Sequence, residues 1–145
     1  MEIQQKLINF ISDNNFNLYI ALILFHYIGD FILQTDYLAK AKNPTYWKDL
    51  KKKMSTEDMA HYIPILENQD WFFVMIAHCF IWSFCVHYPI ILISSKSPII
   101  IAFSICFHTG LHFAIDSYKI IGKGISMKGD QIFHLLQLLM LIFLQ

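Results

Sequence analysis

Arginine is absent: all eleven basic residues are lysine. Without the planar guanidinium fork, a surface that reads nucleic-acid phosphates has little support, and no nucleic-acid partner is expected. Charge of either sign is scarce, at 15% of residues, where soluble domains carry about 25%. Acids and bases balance at eleven each, so net charge selects no partner. Cysteine is sparse too. Cys79, Cys85 and Cys106 all fall in apolar stretches and form no C-x-x-C spacing, which excludes a disulfide framework and leaves the redox compartment open. The first fifteen residues have no basic segment leading straight into a short apolar core, so no removable signal peptide is expected.

What the chain has in quantity is apolar surface, with 56% hydrophobic residues. A helix needs about 20 residues to cross a hydrocarbon core of about 30 Å. Four stretches approach that length: residues 16–37, 70–96, 98–119, and a last one from about Asp130 to the end. The last reaches only about 22 Å unless it starts near Met127. Tyr37, Trp71, Tyr88 and Tyr118 lie near the proposed ends, where aromatic belts form. The expected fold is an all-α, polytopic membrane helical bundle with about four transmembrane helices, forming one integral membrane domain over residues 1–145. Ahead of it, Ile3, Leu7, Phe10 and Ile11 share one face of a short amphipathic helix suited to the lipid surface.

Lysine placement predicts direction. The first connection holds Lys40, Lys42, Lys48, Lys51, Lys52 and Lys53, and the third holds or borders Lys119, Lys123 and Lys128. Only Lys6 and Lys96 lie on the other side. The positive-inside rule then puts the N-terminus outside and both lysine-rich connections in the cytoplasm, in the cytoplasmic (inner) membrane. The first connection reads as a helical cytoplasmic loop. Its "TYWKDLKKKM" turns Trp47, Leu50 and Met54 toward lipid, with Lys48 to Lys53 facing anionic lipid headgroups. Ser55 and Asp58 resemble a capping box for a further turn.

Ionisable residues interrupt the apolar runs in a pattern. His26, Asp30 and Gln34 are spaced four apart, as are His108, His112 and Asp116, and Asp130 with His134. Residues at i and i+4 share a helix face. At a rise of about 1.5 Å per residue, these groups and His78 share one depth band in the inner half of the bilayer. Charged groups in lipid face the bundle interior and pair there, so one shared cluster is expected. Three His/Asp pairs suit a divalent cation, zinc above all, with His26, Asp30, His112, Asp116, Asp130 and His134 as candidate ligands. Asp30, Asp116 and Lys119 are the candidate catalytic groups. Gln34, His78, His108 and Gln131 are expected to orient them. Each pair also reads as plain interhelical hydrogen-bond glue. A bis-histidine haem site fits less well, because each main histidine has a carboxylate one turn away.

"HYIGDFILQTDYLAK", "LHFAIDSYK" and "GDQIFHLLQLL" resemble, in order and spacing, the signatures of a family of small bacterial and phage multi-pass membrane proteins catalogued as a domain of unknown function. The resemblance covers the first, third and fourth apolar segments, and implies a membrane bundle without implying an activity. A looser similarity, in the His-x3-Asp helices, is to membrane-bound metal-dependent hydrolases. It implies hydrolysis of a lipid or lipid-linked substrate. Two other classes stay open. One is a proton- or cation-coupled transporter or channel subunit, which four helices could form only as a homo-oligomer. The other is a non-enzymatic membrane partner acting through the lysine-rich loop.

Overall fold

The computed structural model describes residues 2–56, 70–121 and 124–143, and among them every regular element is helical. Helix α1 spans Glu2–Asp13, α2 Asn15–Tyr27, α3 Asp36–Ala41, α4 Pro44–Thr56, α5 Asp70–Ile93, α6 Pro98–Ile120 and α7 Met127–Ile142. A π-turn, Ile28–Ile32, continues α2. The starts are set by capping chemistry. Asn14 accepts from the Asn17 amide, Thr35 from Leu38, Ser97 from Ile100 and Ser126 from Gly129. Pro98 sits where its missing N–H costs nothing.

Among the described residues, three helices are long and apolar enough to cross a membrane: Asn15–Ile32, Asp70–Ile93 and Pro98–Ile120. This corrects the expectation of about four. The α7 helix has 16 residues, a length of about 24 Å, and falls short of the hydrocarbon thickness. It still completes the bundle. Around the centre the order is α2, α5, α6, α7, and α2 and α6 lie diagonally opposite, without backbone contact among the described residues.

The distribution of polarity is the reverse of a water-soluble domain. Phe16, Phe73 and Phe103 are 71%, 65% and 74% exposed, while His26, His112 and His134 are 0% exposed. An apolar cluster of Leu18, Leu22, Trp82, Val86, Leu138 and Leu141 fills the interior on the side of the α5–α6 connection. Helix α1 joins it: Ile11 is buried and Leu7 packs beside it, so only Ile3 and Phe10 keep the exposed position expected of a surface helix. The helical nature of the first connection holds for α3 and α4. Trp47, however, does not face lipid. It is buried, and its Nε1 donates to the Ala41 carbonyl at 2.6 Å. The side chains of Met54 and Ser55, together with Asp58, His61 and Lys123, lie outside what is described. All three thiols are free: Cys79 is buried, Cys85 half-buried and Cys106 exposed.

Candidate metal centre

Asp30 reaches the interior because α2 ends in a π-turn. An i→i+5 ring rotates the downstream residues off the regular stripe, so Asp30 does not pair with His26. Gly29 makes the turn fit, since a Cβ there would stand 3.1 Å from the Trp82 Cα and 3.2 Å from the Cys85 Cβ. The π segment is thereby seated directly on α5, and the Asp30 Oδ1 lies 3.3 Å from the His78 Nε2. The helix stops at Ile32, and Gln34 lies in the short non-helical link before α3. With its amide oriented to suit both neighbours, Gln34 donates to the Asp30 carbonyl at 2.6 Å and accepts from the Lys42 Nζ at 3.2 Å.

His26 is occupied on both ring nitrogens. Indole N–H only donates, so the bond from Trp82 Nε1 at 2.8 Å makes Nδ1 the acceptor. The proton then sits on Nε2 and is donated to the Gln131 Oε1 at 3.1 Å. His26 thus positions Gln131, whose amide nitrogen lies 3.4 Å from both Asp30 Oδ2 and Asp130 Oδ2. Gln131 links His26 to two carboxylates, and His26 is not among the converging donor atoms.

His78, expected only to support the site, stands at its junction. Its Nε2 is 3.3 Å from His112 Nε2, 3.5 Å from Asp116 Oδ2 and 3.2 Å from Lys42 Nζ. One turn along α5, Trp82 stacks on the His112 ring with centroids 4.1 Å apart. Asp116 divides its carboxylate: Oδ2 faces His78, while Oδ1 lies 3.6 Å from His134 Nε2. On α7, His134 Nε2 is 3.3 Å from Asp130 Oδ1, and the other Asp130 oxygen accepts from Lys119. Lys119, three residues after Asp116 in sequence, pairs with Asp130.

Two buried sets therefore have donor atoms close enough to hold a metal ion: Asp30, His78 and His112, and His112, Asp116 and His134. Asp130 borders the second set without belonging to it. The donors are carboxylate and imidazole, the mixture that suits zinc and other borderline divalent ions. One further observation favours a cation. Asp130 Oδ1 and His134 Nε2 are buried without a well-directed hydrogen bond. Among the described residues, the three buried carboxylates, Asp30, Asp116 and Asp130, face the ammonium groups of Lys42 and Lys119 and the imidazoles of His78 and His134.

No family model, curated protein or solved structure matches this chain. Its chemistry rests on its own residues.

Access comes from the side of the lysine-rich connection. A cleft of about 330 Å³ is lined by Asp30, Gln34, Lys42, Asn43, Lys119 and Gln131, with Phe31, Ile120 and Met127 also contributing. Two features were missed from sequence. Lys42 was counted among solvated loop lysines, and nothing in its spacing marks it as buried. A second polar cluster occupies the opposite half of the bundle. There His87 Nε2 lies 2.7 Å from Ser104 Oγ, and Ser104 Oγ lies 3.4 Å from His108 Nδ1. His108 belongs to that cluster rather than supporting the candidate ligands. Its i+4 spacing to His112 was visible, but helical spacing alone does not tell which neighbours a side chain meets.

Proposed function

We propose that the protein is a membrane-embedded, metal-dependent hydrolase acting on a lipid or lipid-linked substrate. The observation that carries this reading is the convergence of His78, His112, His134, Asp30 and Asp116 into two buried ligand sets beside an open cleft. Zinc is the ion best suited to the donors. A bound divalent ion supplies Lewis acidity and lowers the pKa of its water toward neutrality. The chain does the rest. Asp30, which belongs to the first ligand set and lines the cleft, is placed to accept a proton from a water entering there through the carboxylate oxygen not used as a ligand. Gln131 holds Asp30 and Asp130 in position, and Trp82 fixes the rings of His26 and His112. Lys119 stands at the cleft to meet negative charge on the substrate. The lysine-rich end faces the cytoplasm of an inner-membrane protein in this reading, with α4 against anionic headgroups.

The test is elemental analysis of protein purified without chelators, together with Asp30→Asn and Asp116→Asn. Wild type should carry a stoichiometric transition metal, and Asp116→Asn should lose it. Wild type without metal, and both variants indistinguishable from it, would falsify the assignment.

One observation favours a second reading, a proton- or cation-coupled transporter. The His87–Ser104–His108 cluster gives the opposite half of the bundle polar groups of its own. Liposomes holding the protein would then show a pH-dependent flux that His87→Phe abolishes. Vesicles impermeable at every pH exclude it.

A further inference from the structure

Lys42 does not behave like the other lysines of its connection. It is 9% exposed, and all three ammonium protons have a partner: Asp116 Oδ2 at 2.9 Å, His78 Nε2 at 3.2 Å and the Gln34 amide oxygen at 3.2 Å. An ammonium group only donates, so His78 presents a bare Nε2 lone pair to it. The same lone pair is one a metal ion would use, and the Asp30 Oδ1 faces it at 3.3 Å. Two acceptors at that distance repel unless a cation lies beside them. Lys42 and a divalent ion therefore seek the same acceptors.

The backbone beneath Lys42 is held. It caps α3, and the carbonyl of the preceding residue, Ala41, is fixed by the Trp47 indole. The side chain has somewhere to go, because Lys42 also lines the cleft of about 330 Å³. Its four-carbon arm can leave Asp116 and His78 by rotation alone, without moving α3 or α4.

We propose that Lys42 is a built-in competitor of the metal ion: its ammonium and a divalent cation exclude one another at Asp116 Oδ2 and His78 Nε2, so this residue sets the metal affinity. The proposal rests on the metal-centre reading of the site. Competition of this kind keeps a site of buried carboxylates neutral enough to fold while capping how tightly it binds metal.

The experiment uses the full chain in detergent. Zinc affinity is measured by competition with a chromophoric chelator for wild type, Lys42→Met, Lys42→Arg and, as an exposed control, Lys40→Met. Thermal unfolding is followed with and without zinc. Lys42→Met should bind zinc on the order of tenfold more tightly or better, and zinc should raise its Tm by more than it raises that of wild type. Lys42→Arg keeps the charge and should stay close to wild type, as should Lys40→Met. If Lys42→Met does not accumulate, Lys42→Gln receives the same measurements. Wild-type zinc binding with equal or weaker binding in the neutral variants overturns the role of Lys42 and leaves the metal centre standing. Absence of zinc binding in wild type and every variant removes both.

Discussion

His26 and His78 exchange the roles that spacing assigned them. His26 has the signature position, four residues before an aspartate, yet Trp82 and Gln131 consume both of its nitrogens. His78 has no carboxylate one turn away in sequence, yet its Nε2 lies within 3.5 Å of groups from three other segments. A sequence shows which residues share a face of one helix. It does not show which atoms of a ring remain unengaged once neighbouring helices close around it. Metal content separates the two histidines: His78→Ala should remove the ion held with Asp30 and His112 and lower the zinc content, while His26→Ala should retain the wild-type stoichiometry at an affinity reduced by about 10–100-fold. Equal loss in both variants would return His26 to the ligand set. Asp116 carries a stability consequence as well. Replacing it by Asn removes the carboxylate from Lys42, whose ammonium can swing into the cleft, so the cost should fall below the about 3–5 kcal/mol of a charge fixed in the interior, readable in denaturant unfolding.

At the scale of the element, the end of α2 decides the site. An uninterrupted α-helix would keep Asp30 on the stripe of His26, whereas the π-turn directs it to α5. Gly29 is the residue that permits this close approach. Gly29→Leu forces a side chain into Trp82 and Cys85, and overpacking of that kind costs about 1–3 kcal/mol. It should also weaken zinc binding, although leucine removes no ligand, because Asp30 and His78 are pushed apart. Gly110 provides the control within α6, since a Cβ there meets nothing within 4 Å. Gly110→Ala should be neutral or stabilising by about 0.5–1 kcal/mol, with zinc affinity unchanged. A Gly29→Leu protein that binds zinc normally would show that Asp30 is not held by that contact.

For the whole molecule, the direction across the bilayer proposed from lysine asymmetry is open to direct measurement. In a cysteine-free background, single cysteines at Asn43 and Lys48 should be labelled only from the cytoplasmic side. Cysteines at Asn9 and Ser95 should be labelled only by an impermeant reagent from outside. The opposite pattern would invert the protein and put the cleft on the outer face. The two polar clusters should also be separable, because they share no hydrogen bond among the described residues. Ser104→Ala should disturb the His87–His108 contacts without altering metal affinity.

The sequence alone determined that the chain is an all-helical bundle with apolar spans and an ionisable band inside it. Hydrophobic length, capping residues and i+4 spacing are local properties, set within one segment. It also suggested a fourth span, which the 16 residues of α7 do not support by length. Tertiary structure alone decided which ring nitrogens remain available, that Lys42 is buried, and that a second cluster gathers around His87. Those outcomes depend on how four helices close on one another and on a single π-turn. Burial and hydrogen-bond partners belong to the assembled bundle, and no segment carries them by itself.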